Sequence, residues 1–310
     1  MLKIGRILFC LLVLINPNLY SNEFKLYFSP SNKVDRIIIE TFKKAKKSIF
    51  IASYTFDWPE GCKLLNELAE KGVDVKILLN FLPKNQEVLK NVGIKKWDKR
   101  NCAMHAKFIV IDNEYVFVGS ANFTESSMIW DSNNILFIYD QKIGKFFAEN
   151  FISLWCNRAL SQNSSFKTEA IDFYFSPISD CTSVIVNEIR KARESIKFAM
   201  FCFTSDIIGQ EIIKAGIRGV KVFGIFENSQ NPISNEYLVM KKIHLLKVKK
   251  DCFVENIHDK FLIIDDRVVL TGSFNYTLAA TRNIETLIVL KDPSLVKHIA
   301  KRWRYLWLWY

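Results

Sequence analysis

The stretch Met104–Thr124, MHAKFIVIDNEYVFVGSANFT, decides how this chain reads. Two apolar runs, FIVI and YVFVG, flank a polar turn that begins at Asp112, which predicts two antiparallel strands joined by a hairpin. His105 and Lys107 stand at the head of the first strand, one residue apart. Alternate side chains on a regular strand share a face, so the spacing predicts that both point the same way. Burying a titratable group is costly unless it has a partner. The pair therefore calls for an anion on that face, or for a buried acid.

The same arrangement occurs twice. MHAKFIVID (Met104–Asp112) matches IHDKFLIID (Ile257–Asp265), and VGSANFT (Val118–Thr124) matches TGSFNYT (Thr271–Thr277). Upstream, LYFSP (Leu26–Pro30) returns as FYFSP (Phe173–Pro177), and KSIFIASYTF (Lys47–Phe56) as ESIKFAMFCF (Glu194–Phe203). GVDVKILLN (Gly72–Asn80) returns as GVKVFGIFE (Gly219–Glu227), and Trp155 aligns with Trp307. Self-similarity over so long a period means duplication of a whole domain.

Each copy alternates strands and helices in one order. A short strand (Leu26–Phe28; Phe173–Phe175) precedes a helix (about Lys33–Lys47; about Thr182–Glu194) and an apolar strand (Ile49–Tyr54; Ile196–Phe201). A second helix (about Gly61–Lys71; about Ile207–Arg218), closed by Gly72 or Gly219, leads into another strand (Val73–Leu79; Val220–Phe226). The pattern predicts an α/β fold of two duplicated lobes, each a mixed sheet flanked by helices. Boundaries fall at residues 22–156 for the first lobe and 171–310 for the second. The polar stretch Asn157–Ala170 reads as the linker.

The 310 residues are 49% hydrophobic and 24% charged, enough apolar material for a real core and incompatible with a disordered chain. Residues 1–21 stand apart. Lys3 and Arg6 precede the apolar run Ile7–Ile15, too short to span a bilayer, and Ser21 offers a small residue for cleavage. The pattern predicts an export signal, hence a periplasmic or secreted protein, with an uncleaved membrane anchor as the lesser alternative. The formal net charge of +11 suits an anionic partner, either nucleic acid or phospholipid headgroups. Seven cysteines occur without a CxxC pair, so neither a zinc ribbon nor thioredoxin-type chemistry is supported.

The repeated pattern H-x-K-x4-D followed by G-S-x-N resembles the paired HKD motifs of the phospholipase D superfamily. Copy one supplies His105, Lys107, Asp112, Ser120 and Asn122, and copy two His258, Lys260, Asp265, Ser273 and Asn275. The resemblance extends over almost all of the chain after residue 21. It implies two lobes related by a pseudo-two-fold axis, and a monomer carrying an internal pseudo-dimer. It brings both His-Lys pairs and both asparagines around one phosphodiester, and needs no metal or other cofactor. The lysines then bind non-bridging oxygens, and Asn122 and Asn275 donate to the phosphate with Ser120 and Ser273 in support. By analogy His105 is the nucleophile and His258 the acid, acting through a phosphohistidine.

Asp112 and Asp265 belong to the motif's catalytic set by resemblance, but the residues themselves argue otherwise. Each has the parity opposite to its histidine and opens the turn, which assigns it to capping the hairpin. Family members also carry an N-x-E after G-S-x-N, whose acid orients a histidine. Copy two has Asn283 and Glu285, whereas copy one has only Asn134 at the place taken as corresponding, so the two histidines are expected to differ in basicity.

The substrate stays open between phospholipid and nucleic acid. The first choice is a phosphoric diester hydrolase of phospholipase D type, releasing phosphatidate and a headgroup alcohol from phosphatidylcholine-like lipids. The alternatives are a secreted, metal-independent nuclease and a non-catalytic binder of phosphorylated surfaces. Lys95, Lys96, Lys99 and Arg100, and Lys241, Lys242, Lys247, Lys249 and Lys250, either rim the pocket or lie on solvated faces. At the pocket they suit nucleic acid and an anionic membrane equally. Trp303, Trp307 and Tyr310 make a helical stripe, with Trp309 beside it.

Overall fold

The structure, a computed structural model, describes residues 23–83, 86–97, 99, 101–158, 164–230, 235–252 and 256–309. The expected export signal lies outside them. In chain order the first lobe comprises β1 (Glu23–Ser29), α1 (Val34–Phe42), β2 (Ser48–Ser53), β3 (Phe56–Asp57), α2 (Pro59–Glu70), β4 (Asp74–Leu79), β5 (Gly93–Lys96), β6 (Phe108–Ile111), β7 (Tyr115–Gly119), β8 (Phe123–Thr124), α3 (Glu125–Ile129), β9 (Asn133–Tyr139) and α4 (Gln141–Trp155). The second comprises β10 (Ser165–Lys167), β11 (Ile171–Ser176), α5 (Cys181–Lys191), β12 (Ser195–Met200), α6 (Asp206–Ile217), β13 (Lys221–Phe226), α7 (Asn235–Lys241), β14 (Leu246–Lys250), β15 (Lys260–Ile264), β16 (Val268–Gly272), β17 (Glu285–Leu290) and α8 (Pro293–Trp309).

The duplication is visible in the strand orders. The first sheet runs β1-β9-β7-β6-β2-β4-β5, and the second β10-β11-β17-β16-β15-β12-β13-β14. Apart from β10, every strand has its counterpart at the same place. Both sheets are mixed: β2-β4-β5 and β12-β13-β14 run parallel, and the remaining pairs are antiparallel. The small β3-β8 pair stands outside them. Contacts between the lobes are reciprocal. Met104 bridges to Ile284, and their equivalents Ile257 and Ser132 bridge to each other. Such isologous pairing is the mark of a two-fold relation.

Three apolar layers hold the assembly together. One lies within each lobe, and a central one, drawn from both lobes, holds Phe108, Phe147 and Phe151 against Phe173, Phe175, Phe261 and Trp303. Helix α4 buries Ile143, Phe146, Phe147, Phe151 and Leu154, a 3.6-residue stripe started by Asp140, whose carboxylate accepts the N–H of Lys142 and Ile143. Its counterpart α8 buries Leu295, Val296, Ile299, Trp303 and Leu306. Trp307 stacks on Trp303, while Trp309 is exposed and Tyr310 lies outside the described residues. Each phenylalanine fully buried here contributes about 1.5–3 kcal/mol.

Three expectations need correction. The first helix of each lobe stops short of the expected ends at Lys47 and Glu194. The backbone N–H groups of Lys46, Lys47 and Ser48 turn to Asp112 (2.7, 2.7 and 2.8 Å), and those of Arg193, Glu194 and Ser195 to Asp265 (2.9, 2.7 and 2.8 Å). The stretch expected as a linker is only partly one, because Ser165–Lys167 pairs with β11 and extends the second sheet. Finally, His105, Lys107 and His258 lie ahead of their strands, since β6 begins at Phe108 and β15 at Lys260. The preceding backbone has left its own sheet for the other lobe: His105 N–H donates to Ile284 O, and Ser132 N–H to Asn256 O, both at 2.9 Å.

Candidate active site

This exchange of backbone partners carries each histidine across the interface. His105 Nδ1 lies 2.8 Å from Glu285 Oε2, and His258 Nδ1 lies 2.9 Å from Asn133 Oδ1. Each imidazole is thus oriented by a side chain from the opposite lobe, which leaves its Nε2 for chemistry. The orienting residues are held in turn. Ser273 Oγ donates to Glu285 Oε2 (2.6 Å), and Ser120 Oγ to Asn133 Oδ1 (2.9 Å). Both serines are fully buried, so they support the orienting residues and do not reach a substrate, a correction to their expected place on the phosphate. The glycines before them allow β7 and β16 to press against the neighbouring backbone. A Cβ on Gly119 would lie 2.1 Å from Asn134 O, and one on Gly272 2.3 Å from Thr286 O.

Asn133, not Asn134, is therefore the counterpart of Glu285. Both open the last strand of their sheet, Asn133 opposite Ser29 and Glu285 opposite Ser176. One residue more separates Ser120 from this strand than separates Ser273 from its own, and parity then sends the next side chain elsewhere. Asn134 accepts from Thr271 Oγ1 and donates to Asp259, both at 2.7 Å. Asp259 is fully buried and also takes the hydroxyl of Ser132 at 2.6 Å, so it ties the lobes together. Copy one has Ala106 at its place.

The lysines lie beneath the histidines. Lys107 Nζ donates to His105 O (2.5 Å) and Lys260 Nζ to His258 O (2.8 Å), and both are essentially buried. Burial pushes Lys107 down to about 7, with Glu285 opposing it, and holds Lys260 well below its usual range, with Lys107 adding repulsion. The histidines respond unequally. Burial lowers His105 but Glu285 offsets part of the effect, whereas His258 is driven well down by burial and then by Lys260, Lys107 and His105. These mutual influences place the four groups in one electrostatic unit.

Aromatic rings wall the site. Tyr54 packs edge-on to His105 (5.2 Å) and Phe201 to His258 (4.6 Å), with Lys107 and Lys260 over the same two rings. These rings close the blocks KSIFIASY and ESIKFAMF, so an aromatic at the same place in both copies was the available signal. Asn122 and Asn275 are half-buried, and the Oδ1 of each has no partner among the described residues. Beyond Tyr54 lies a groove of about 730 Å³ bordered by Pro59, Phe81, Leu82 and Trp130, the last three well exposed. Phe81 packs against Tyr54 at 5.2 Å, linking groove and site.

Other expected residues lie elsewhere. Asp112 and Asp265 sit at the far ends of β6 and β15, in turns with left-handed backbone, bonded to the N–H groups described above. For Asp265 burial acts upward, but those three donors outweigh it and hold the carboxyl below its usual range. They serve the fold, at the ends of β6 and β15 opposite to the paired histidines. Lys95 and Lys249, on β5 and β14, donate to Trp155 O and Trp307 O at the ends of α4 and α8 and lie over those indole rings. Arg100 lies outside the described residues. The six cysteines Cys62, Cys102, Cys156, Cys181, Cys202 and Cys252 are all free, and no group of three or more His, Cys, Asp or Glu among the described residues could hold a metal ion.

Comparison with known proteins places this geometry. The family model "Cardiolipin synthase, PLD-like domain" matches residues 38–155 and again 185–307. A phospholipase D of Rickettsia conorii is 36% identical over 135 residues, 42% of this chain and 65% of the relative. A mitochondrial cardiolipin hydrolase of Chlamydomonas reinhardtii is 29% identical over 142 residues, 46% of this chain and 63% of the relative. The chain thus spans just under two thirds of the length of the curated relatives it matches. The crystal structure of a phosphatidylserine synthase from Haemophilus influenzae Rd KW20 superposes with a TM-score of 0.69 at 14% identity, covering 90% of this chain and 84% of that one, and so shares the two-lobed fold.

Proposed function

The chain belongs to the phospholipase D superfamily, and from that premise we propose that it is a phosphodiesterase that hydrolyses glycerophospholipids to phosphatidate and a headgroup alcohol. The observation that carries the proposal is the crossed pairing of His105 with Glu285 and His258 with Asn133 above two buried lysines. Neutral His105, its Nδ1–H held by Glu285, attacks phosphorus through Nε2. As the N–P bond forms, the bond to the headgroup oxygen breaks, and His258 gives its Nε2 proton to the departing alkoxide. Glu285 stabilises the positive charge that grows on the phosphorylated imidazole. His258 then takes a proton from water, whose oxygen attacks phosphorus and frees His105. Lys107, Lys260, Asn122 and Asn275 hold the non-bridging oxygens throughout.

The lipid reading is supported by the phospholipase D and cardiolipin hydrolase relatives and by the groove with exposed Phe81, Leu82 and Trp130. No helix of the described residues is long and apolar enough to cross a membrane. The proposal includes export through residues 1–21 and action as a monomer. It is tested by treating the purified protein with a chelator and offering phosphatidylcholine vesicles and single-stranded DNA side by side. Release of choline with DNA left intact is expected; cleavage of DNA alone overturns the lipid assignment.

A further inference from the structure

Helices α4 and α8 are duplicates with matching inward stripes, yet their outward faces differ. On α8 the exposed positions follow at i, i+4, i+7, i+8, i+11 and i+12: Lys297, Lys301, Arg304, Tyr305, Leu308 and Trp309. The first three are basic, and none has an ion-pair partner among the described residues. They border a hollow of about 760 Å³, in which Asp266 is already held by Lys197 at 2.6 and 2.8 Å. The last three carry apolar surface, with Tyr305 51%, Leu308 75% and Trp309 63% exposed. The rings of Tyr305 and Trp309 lie 5.9 Å apart and form one patch.

The duplicate helix shows that the fold does not need this face. With Trp155 aligned on Trp307, the equivalent positions are Lys145, Glu149, Ile152, Ser153, Cys156 and Asn157. There Lys145 and Glu149 pair with each other at 3.8 Å, and Ile152 is the one large apolar side chain of the six. An exposed apolar patch that packing does not demand marks an interaction surface.

The patch stands at the same end of the second sheet as the catalytic centre. Strands β12, β13 and β14 run parallel, and Phe201, just past the end of β12, packs against His258. Lys249, near the matching end of β14, donates to Trp307 O. Further back on the helix, Arg302 lies over the Tyr305 ring (5.6 Å) and donates to Ser132 Oγ (2.8 Å), whose residue precedes Asn133. Trp130, on the border of the groove described above, stands two residues ahead of Ser132.

We propose that the outward face of α8 is a docking surface for an anionic bilayer. Tyr305, Leu308 and Trp309 enter the interface, and Arg304, Lys301 and Lys297 meet the headgroup phosphates behind them. Charge complementarity selects this occupant. Unpaired bases are drawn to a negative leaflet, and Tyr and Trp suit the headgroup level, where one edge is apolar and the other wet. A second copy of this chain brings no acid to the bases, because the same face meets itself. Nucleic acid answers the bases but leaves Leu308 in water. The inference rests on the lipid reading for its purpose alone, since docking is read without turnover.

The test measures co-sedimentation of the full chain carrying His105→Asn with two kinds of vesicle, phosphatidylcholine alone and phosphatidylcholine mixed with phosphatidylglycerol. Leu308→Ser with Trp309→Ser is expected to weaken binding to the mixed vesicles about tenfold. Lys301→Gln with Arg304→Gln is expected to weaken it about 10- to 30-fold, a loss that shrinks as salt rises. Lys145→Gln with Ile152→Ser, on α4, is expected to leave binding unchanged, and thermal melting controls for folding throughout. With His105 restored, the α8 changes are expected to slow hydrolysis of the mixed vesicles and to leave the rate on a soluble short-chain phosphatidylcholine within about twofold. A chain that binds mixed vesicles through α8 but hydrolyses no lipid supports the docking surface, and the lipase reading then fails by itself. Equal vesicle binding by the parent and both α8 variants overturns the surface, as does a loss confined to single-stranded DNA. Self-association that Leu308→Ser with Trp309→Ser abolishes, with vesicle binding unchanged, assigns the face to a second copy and overturns the bilayer.

Discussion

Replacing Glu285 by Gln tests the asymmetry at the heart of the site. The carboxylate is fully buried, 2.8 Å from His105 Nδ1 and 2.6 Å from Ser273 Oγ. The substitution keeps shape and hydrogen-bonding reach while removing the charge. Copy one shows that an amide suits this geometry, since Asn133 Oδ1 meets both His258 Nδ1 and Ser120 Oγ at 2.9 Å. What is lost is the stabilisation of positive charge on His105 as it takes the phosphoryl group. Two unit charges about 4 Å apart attract by about 4 kcal/mol at an effective dielectric constant near 20, which sets an upper bound. Exchanging a charge-assisted hydrogen bond for a neutral one points to about 1.5–3 kcal/mol. The expected fall in kcat is therefore about 10- to 150-fold, with KM little changed. Steady-state hydrolysis of phospholipid vesicles reads it directly, and a single-turnover burst separates formation of the phosphohistidine from its hydrolysis. A variant whose kcat stays within about twofold of the parent refutes the reasoning, because the carboxylate then has no share in the transition state.

Four further outcomes follow from the same geometry. His105→Ala and His258→Ala are each expected to abolish turnover, read by headgroup release, and robust activity in either refutes the paired mechanism. Because Lys107 in the free protein sits at about 7, its ammonium is lost as pH rises through that value; kcat/KM is expected to fall on the alkaline side of neutrality, and a profile flat to about pH 9 contradicts the assignment. Asp112→Ala removes the acceptor for three backbone N–H groups, so chemical denaturation is expected to show a loss of about 2–4 kcal/mol, with kcat nearly unchanged where the variant remains folded; a catalytic defect without destabilisation returns Asp112 to the chemistry. A chelator is expected to leave the rate of lipid hydrolysis unchanged, and recovery of a lost rate on adding a divalent cation contradicts the lysine-based scheme.

The family, the duplication and the paired histidines were legible because they are local or repeated facts. H-x-K and G-S-x-N keep their spacing in both copies, and apolar runs bounded by Gly72 and Gly219 mark strands and helices at short range. The parity argument for Asp112 and Asp265 likewise needed only the period of two along a strand. It failed for His105 and His258 as strand residues, because their backbone leaves its own sheet to bond with the other lobe.

Sequence alone thus determined that the chain carries two equivalent half-motifs, each with one histidine and one lysine, since these follow from motif spacing and from hydrophobic period. Tertiary structure alone decided how the halves exchange partners: that Glu285 serves His105, that Asn133 and not Asn134 serves His258, and that Ser120 and Ser273 lie behind them. The physical reason is register. A difference of one residue between Ser120 and β9 turns one amide toward a histidine and the next toward Asp259, and which side chain faces which is settled only when two separately folded sheets come into contact.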